Sequence, residues 1–262
     1  GIVNVTPDSF SDGGLHASVE AAVAHGLRLA DEGAAIIDVG GESTRPGSSA
    51  VPVEEEVERV VPVIERLAQR LAVPISVDTT KPEVMRAAVA AGATMINDVR
   101  ALTRPGALEA AAETGAAVCQ MHMQGEPRTM QAAPSYRDVV AEVRQFLDAR
   151  VAACEAAGIP RGRICVDPGI GFGKALEHNL ALLARLDELA GRSLPLLVGV
   201  SRKSMVGMIT GRPPGERLAG SVALAALAVA RGAAIVRAHD VAATVDAVKV
   251  AGAYRRASAG GR

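Results

Sequence analysis

Short apolar runs alternate along the chain with longer stretches in which apolar residues recur every three or four positions. The short runs lack polar alternation, which is typical of strands covered on both faces in a parallel sheet. The longer stretches have the period of amphipathic helices. The pattern predicts strands at residues 2–5, 35–39, 74–77, 94–96, 117–121, 163–166, 195–200 and 233–236. It predicts helices at residues 16–33, 53–71, 82–91, 105–114, 135–157, 175–190, 215–231 and 240–257.

The order of these elements predicts the fold class. Eight strand–helix units in 262 residues favour a single-domain (β/α)8 TIM barrel of the α/β class over residues 1–262, and about 250 residues is typical of that fold. An open doubly wound sheet is the alternative, but it usually has fewer strands, and its Gly-x-Gly-x-x-Gly turn is missing after the first strand. Glycines are expected to end five helices in the left-handed conformation, namely Gly33, Gly92, Gly115, Gly158 and Gly232. We expect the chain to start within the first strand.

Composition narrows the classes of protein. The chain is 49% apolar with a net charge of −1, which excludes a disordered chain or a basic nucleic-acid-binding arm. Three Phe, two Tyr and no Trp leave too few aromatic rings for base stacking. Three cysteines without Cys-x-x-Cys spacing argue against a disulfide framework or a zinc site, and favour a reducing cytoplasm. No run is long enough for a membrane span, so neither nucleic acid nor membrane is an expected partner.

Polar residues follow every predicted strand. In a barrel the carboxyl ends of the strands and the loops after them form one rim, where the chemistry takes place. These positions are Asn4, Asp38, Asp78, Asn97, Asp98, His122, Asp167, Ser201, Arg202, Lys203, Arg237 and His239. Any one of them could simply be a turn or helix cap. Together they predict an acidic half suited to a heterocycle with N–H donors and a basic half suited to phosphate, although Arg202 could instead be a solvated surface charge.

Two long polar loops lie on the same predicted rim, at residues 6–14 and 41–52. Long loops at that position commonly act as lids or substrate-binding segments, and simple disorder is the alternative. Phe10 argues against disorder, since it is one of only three phenylalanines and stands in a polar loop.

The segment "DPGIGFGK" at residues 167–174 has the composition of a phosphate-binding loop but not its spacing. Lys174 stands where a third glycine is needed, and Ala175 stands where Gly-Lys is followed by Ser or Thr. We therefore expect its glycines to let the backbone approach a flat ring, with Phe172 beside a second substrate.

These motifs together resemble the dihydropteroate synthase family of pterin-binding enzymes. The matching strings stand in family order across essentially the whole chain: "NVTPDSFSDGG", "DVGGESTRPG", "ISVDTTK", "INDV", "MHMQGEPRTMQ", "DPGIGFGK", "GVSRKSM", "AGS" and "RAHDV". The resemblance implies a (β/α)8 barrel transferase that joins p-aminobenzoate to 6-hydroxymethyl-7,8-dihydropterin pyrophosphate. The products are dihydropteroate and pyrophosphate, Mg²⁺ is the cofactor, and sulfonamides are inhibitors. It also implies a homodimer, which we expect to form through the apolar helix at 218–231.

The resemblance also implies site residues. Pterin binding would involve Asp78, Asn97, Asp167 and Lys203; pyrophosphate binding Asn4, Thr44, Arg237 and His239; p-aminobenzoate binding Phe10, Ser43, Thr44, Arg45, Pro46, Phe172, Lys203 and Ser204. Asn4 would also hold the metal, and the catalytic residues would be Asp78, Asp167, Lys203, Arg237 and His239. Chemically, the pterin methylene would lose pyrophosphate to give a ring-stabilised cation that the arylamine attacks, without an enzyme nucleophile.

Three alternatives stay open at this stage. His122 lies between two methionines and is either a packed histidine or a catalytic base. A methyltetrahydrofolate-binding methyltransferase domain would share the pterin residues but has no need for "ESTRPG" or a pyrophosphate site. A catalytically silent paralogue should have lost residues of the two loops, whereas Phe10, Thr44 and Arg45 are all present.

Overall fold

The computed structural model describes residues 1–5, 14–43, 48, 50–126, 129–190 and 194–260. Its strands are β1 (Ile2–Asn4), β2 (Ile37–Gly40), β3 (Ile75–Asp78), β4 (Met95–Asp98), β5 (Ala117–Met121), β6 (Ile164–Asp167), β7 (Leu197–Gly199) and β8 (Ile235–Arg237). Its helices are α1 (Gly14–Asp31), α2 (Val53–Ala68), α3 (Pro82–Ala90), α4 (Ala107–Thr114), α5 (Val139–Ala156), α6 (Leu176–Ala184), α7 (Asp187–Ala190), α8 (Ser204–Thr210), α9 (Leu218–Ala230) and α10 (Val241–Gly260).

The strands close into a ring. β1 to β6 pair in chain order and in parallel, and β7 pairs with β8 in parallel. On one side the Val166 N–H donates to the Pro195 carbonyl at 3.0 Å, just before β7. On the other side the Ile2 N–H donates to the Ala238 carbonyl at 3.1 Å, just after β8. The two sheets therefore join into the predicted (β/α)8 barrel, and the open doubly wound sheet is wrong.

The main core lies between the barrel and its helices. It is built from buried aliphatic side chains, as expected for a chain with few aromatic residues; its largest fully buried members include Ile37, Ile64, Leu67 and Ile96. A second small cluster contains Met95, Cys119, Cys165 and Leu197, all on strands. Burying one such side chain contributes about 1.5–3 kcal/mol, so the two clusters hold the ring in place. All three cysteines are buried and free, so they pack as small core residues and form no disulfide.

Helix ends follow the local sequence. Pro82 occupies the first turn of α3, where its missing N–H has no intrahelical partner to lose. Asp138 caps α5 by accepting from the N–H groups of Val140 at 3.0 Å and Ala141 at 3.2 Å. The five glycines predicted to end helices all have positive φ, between 65° and 116°. No helix in the described part of the chain has the length and apolar character needed to span a membrane.

Two helical features differ from the prediction. The stretch predicted as one helix at 175–190 is two helices, because α6 ends at Ala184 and α7 begins at Asp187. Helix α8 was not predicted at all, since its seven residues directly follow the polar Ser-Arg-Lys run and show too few turns for a clear period. The connection predicted at 201–214 therefore contains a helix.

Candidate active site

Three buried polar side chains lie together on the rim. Asp78, Asn97 and Asp167 are the last or second-last residues of β3, β4 and β6, and each is at most 8% exposed. Asp78 and Asn97 are also register partners in neighbouring strands. The parallel strands deliver these groups to one end of the barrel, as the sequence predicted.

The Arg237 side chain extends from the end of β8 to carboxylates on β2 and β3. Its Nε donates to Asp38 Oδ2 at 2.5 Å, and its Nη2 donates to Asp78 Oδ2 at 2.8 Å. The Asn97 side-chain amide also donates to Asp38 Oδ2, at 3.3 Å. The expected separation into an acidic half and a basic half is therefore wrong, because this guanidinium lies between two carboxylates.

Asp38 is the site residue whose role sequence reasoning missed. It was noted as a polar strand end but given no function, since nothing in the sequence relates it to Arg237, 199 residues away. Its Oδ1 is buried and has no hydrogen-bond partner among the described residues. An unpartnered buried carboxylate oxygen is costly, and in a site it is available to a ligand donor.

Burial and neighbouring charges shift the pKa values of three predicted pterin-binding residues at the rim. The pKa of Asp78 rises to about 7, mainly because burial disfavours its charged form; Arg237 opposes this shift and Asp38 adds to it. Burial likewise raises the pKa of Asp167 to about 6, against the hydrogen bond from the Gly169 N–H. Burial lowers the pKa of Lys203 to about 8, while Asp167 raises it. Perturbed groups of this kind cluster at functional sites.

Lys203 and Phe172 approach each other across the rim. The Lys203 Nζ lies 4.2 Å from the centre of the Phe172 ring, within cation–π range. The Asp167 carboxylate accepts from the Gly169 N–H at 2.7 Å, which orients it at the start of the same loop. Strand β6, the loop after it and the loop after β7 thus present a carboxylate, a ring and an ammonium close together.

Two of the three glycines in "DPGIGFGK" make room for neighbouring backbone. Gly169, Gly171 and Gly173 all have positive φ. A Cβ at Gly169 would lie 1.9 Å from the His122 carbonyl oxygen, and one at Gly173 would lie 2.2 Å from that of Gln124. Gly169 and Gly173 therefore let the loop press against the backbone after β5, whereas a Cβ at Gly171 would lie 3.3 Å from the Lys203 side chain. The predicted approach of a flat ring stays a prediction.

His239 and Arg202 point to different neighbours. The His239 backbone N–H donates to Ser201 Oγ at 3.1 Å, and its Nδ1 lies 3.0 Å from the same oxygen. Arg202 makes two hydrogen bonds to Asp240, at 3.0 and 2.6 Å, and its side chain is 49% exposed. Of the two interpretations left open for Arg202, the structure favours an exposed surface charge.

The remaining predicted residues lie at the edge of the site or outside the described residues. Asn4 is half-buried at the end of β1, and Ser204 is exposed at the start of α8. The carbonyl of Ser43 accepts from the Ser48 hydroxyl at 2.5 Å. Four predicted residues lie outside the described part of the chain: Phe10, Thr44, Arg45 and Pro46.

A buried ion-pair cluster at the base of the second loop was not predicted. Lys81 Nζ donates to the carboxylates of both Glu42 and Glu56, and neither Lys81 nor Glu56 is appreciably exposed. Glu42 also accepts from the Val51 N–H at 3.2 Å. Because Glu42 and Val51 lie at the two ends of this loop, the cluster fastens its base.

His122 packs rather than titrates near neutrality. It is 7% exposed, and its ring stands edge-on to Phe146 at 5.0 Å between centroids. Burial, with a smaller contribution from Lys174, lowers its pKa to about 3. The packed interpretation of His122 is therefore confirmed, and a neutral imidazole at neutral pH is expected.

The donor set at the rim limits how a metal could bind. Among the described residues, no group of three or more His, Cys, Asp and Glu could hold a metal ion. Mg²⁺ at phosphate sites usually takes only one or two protein oxygens and completes its shell with substrate and water. Asn4, at the end of β1, could supply one such oxygen, although it is an amide rather than the more usual carboxylate.

The fold and the rim define a (β/α)8 barrel protein with a buried polar site at the carboxyl ends of its strands. The sequence matches the pterin binding enzymes over residues 1–239. It is 59% identical over 250 residues to dihydropteroate synthase of Escherichia coli strain K12. The aligned region covers 95% of this chain and 89% of that protein. The chain therefore belongs to the pterin binding enzyme family, among the dihydropteroate synthases.

Solved structures agree with this assignment. Yersinia pestis dihydropteroate synthase with a sulfonamide drug superimposes with a TM-score of 0.93 at 53% identity, covering 98% of this chain and 93% of that one. Xanthomonas albilineans dihydropteroate synthase with 4-aminobenzoic acid gives a TM-score of 0.92 at 61% identity, covering 97% and 92%.

Proposed function

We propose that this protein catalyses the condensation of 6-hydroxymethyl-7,8-dihydropterin pyrophosphate with p-aminobenzoate, giving dihydropteroate and pyrophosphate. The observation that carries the proposal is the buried group of Asp78, Asn97 and Asp167 at the rim, in a chain 59% identical to a curated dihydropteroate synthase. A barrel alone would not support a particular reaction, because the same fold hosts many chemistries. The site and the relatives together do.

Asp167 is the proposed reader of the pterin edge. Its pKa of about 6 leaves it mostly ionised at neutral pH, so that it can accept two N–H groups from the ring as carboxylates accept guanidinium. Asn97 offers an amide that both donates and accepts, and Asp78 adds a second carboxyl group. Asp167, and Asp78 in its ionised form, favour the positive charge that the pterin methylene develops as pyrophosphate leaves.

Arg237 and His239, with Asn4 and Thr44, are the proposed pyrophosphate ligands. In the structure Arg237 is paired with two carboxylates, so we propose that it turns part of its donor set to the phosphates when substrate binds. Mg²⁺ held by Asn4 and the pyrophosphate oxygens would neutralise charge on the leaving group. The protein side chains hold the leaving group in place and orient the methylene towards the amine.

The arylamine is proposed to bind beside Phe172 and Lys203, which are in contact with each other in this structure. The remaining members of this pocket are the residues inferred from the sequence: Phe10, Ser43, Thr44, Arg45, Pro46 and Ser204. The Xanthomonas relative holds 4-aminobenzoic acid and the Yersinia relative a sulfonamide, which supports the same pocket as a sulfonamide target here. The amine attacks the methylene directly, so the enzyme supplies position and electrostatics rather than a nucleophile.

The proposal is tested by coupled pyrophosphate release with both substrates and Mg²⁺ present. Release should require p-aminobenzoate, and dihydropteroate should form in equal amount. Release with neither arylamine dependence nor product would contradict the synthase. Methyl transfer from methyltetrahydrofolate to a corrinoid would instead support the methyltransferase alternative, and no turnover of either kind would support a silent paralogue.

We also propose a homodimer, with a surface wider than the predicted helix 218–231. Large apolar side chains are exposed on α8, α9 and α10: Met208, Ile209, Leu218, Leu227, Val250 and Tyr254. A surface of this kind commonly marks a protein interface. Light scattering should give a dimer mass that Leu227→Glu lowers. The three unpaired thiols are compatible with a cytoplasmic location, which we propose as well.

A further inference from the structure

Lys174 ends the glycine-rich loop after β6 and is almost completely buried. It is 2% exposed, and its Nζ lies within hydrogen-bond distance of four acceptors. They are His122 Nδ1 at 3.0 Å, the His122 carbonyl at 3.3 Å, the Gly169 carbonyl at 3.0 Å and the Phe172 carbonyl at 2.9 Å. A lysine buried in this way keeps its place only where its N–H donors are satisfied.

These acceptors belong to two different backbone segments. His122 directly follows β5, whereas Gly169 and Phe172 lie in the loop after β6. The lysine stem therefore reaches back into its own loop and joins it to the neighbouring one. The close approach of the two segments depends on Gly169, whose missing Cβ leaves room for the His122 carbonyl. The surrounding contacts support the same arrangement, since the Tyr136 hydroxyl donates to the Gly173 carbonyl at 2.8 Å.

The loop that Lys174 holds contacts the site at two points. At its start, the Gly169 N–H donates to the Asp167 carboxylate at 2.7 Å. In its middle, the Phe172 ring lies 4.2 Å from Lys203 Nζ. Lys174 bonds the carbonyls of Gly169 and Phe172, which are the residues that make these two contacts.

We propose that Lys174 is a positioning residue of the synthase site. Its side-chain amino group fixes the loop after β6 so that the Asp167 carboxylate faces the pterin edge and the Phe172 ring faces the arylamine. It does not touch the substrates itself, since its Nζ is enclosed by backbone carbonyls and the His122 ring. The inference goes beyond the proposed function but rests on it, because Asp167 and Phe172 are assigned there.

The decisive variant is Lys174→Met, which keeps the stem and removes every N–H donor. Lys249→Met is the matched control, because Lys249 is exposed on α10. We expect kcat/KM for the dihydropterin pyrophosphate to fall about 10- to 100-fold. A loss of this size corresponds to the two hydrogen bonds from Lys174 to the carbonyls of Gly169 and Phe172. Inhibition by inorganic pyrophosphate should change less than about twofold, since Arg237 ends β8 and His239 lies in the loop after it, away from the loop that Lys174 holds. A purely structural role would weaken both equally.

A double-mutant cycle with Phe172→Leu tests whether Lys174 acts on the arylamine site through the Phe172 ring. If Lys174 acts through this ring, the two substitutions should be non-additive in kcat/KM for p-aminobenzoate. Lys174→Gln keeps two N–H donors and is measured in parallel. Its loss of kcat/KM should be smaller than that of Lys174→Met and in the same direction. It replaces the methionine variant if that protein does not fold.

The outcomes separate the two proposals. A wild-type protein that makes no dihydropteroate overturns the proposed function and this inference with it. An active wild type with an unaffected Lys174→Met overturns the inference alone, as does a loss shared equally by the pterin substrate and inorganic pyrophosphate.

Discussion

The pairing of Arg237 with two buried carboxylates makes a quantitative prediction about stability. Replacing Arg237 by Met keeps much of the side-chain volume but removes the guanidinium between Asp38 and Asp78. Both carboxylate side chains are 9% exposed, so they would then face each other with little solvent to screen them. Asp38 Oδ1 already lacks a partner among the described residues, so Oδ2 would depend on Asn97 alone.

The expected magnitude follows from this geometry. Removing one partner from a buried ion pair typically costs about 3–5 kcal/mol, and Arg237 is bonded to both acids. The loss should also depend on pH. The pKa of Asp78 is about 7 with Arg237 present, because burial outweighs the attraction of that arginine, and removal of the arginine would raise it further. A carboxyl whose pKa is raised on folding adds stability while protonated and loses it as pH rises through the folded pKa.

In the variant, Asp78 should therefore still be losing its proton, and the protein losing stability, at pH values where Asp78 of the wild type is already ionised. Above pH 7 the deficit should grow by up to about 1.4 kcal/mol per pH unit. Urea unfolding of both proteins between about pH 6 and 9 measures it. Arg202→Met is the matched control, because its ion pair with Asp240 is half exposed and should contribute at most about 1 kcal/mol. An Arg237→Met deficit below about 1 kcal/mol, or one independent of pH, would refute the reasoning.

Three further predictions follow from single contacts. Asp167→Asn should lower kcat/KM for the pterin substrate about 10- to 100-fold, and should abolish the wild-type decline below about pH 6 that a pH–rate profile records. Gly169→Ala should lower the free energy of unfolding in urea by about 2 kcal/mol more than Gly158→Ala. Both glycines have positive φ, but a Cβ at Gly169 would clash with the His122 carbonyl, whereas nothing lies within 4 Å of a Cβ at Gly158. Equal losses for the two variants would contradict this packing. Glu42→Gln should lower stability by about 1–2 kcal/mol and speed proteolysis within residues 43–52, since it weakens the buried lysine pair that fastens this loop; an unchanged cleavage rate would argue against that role.

The sequence predicted the barrel because each layer of the fold has its own local signal. Strands covered on both faces read as continuous apolar runs, and positive-φ glycines such as Gly92 mark where helices end. The predicted strands stopped one or two residues early where they end in polar groups. Asp78 and Asp167 belong to their strands, because a buried site places polar side chains inside the regular ladder.

The identity of the site residues was more predictable than their contacts. Strand ends converge in a barrel, so Asp78, Asn97 and Asp167 could be placed on one rim without coordinates. The pairing of Arg237 with Asp38 depends on closure of β8 onto β1 and on side-chain reach across the ring, which no local pattern encodes. The same holds for Lys174, whose contacts depend on the way its loop folds around its side-chain nitrogen.

A crystal structure of this protein with dihydropterin pyrophosphate bound tests the site assignment most directly. We predict Asp167 carboxylate oxygens within about 3 Å of the ring N–H groups, and an Arg237 nitrogen within the same distance of a phosphate oxygen. A ring bound away from Asp167 would contradict the assignment, as would an Arg237 that still contacts only Asp38 and Asp78.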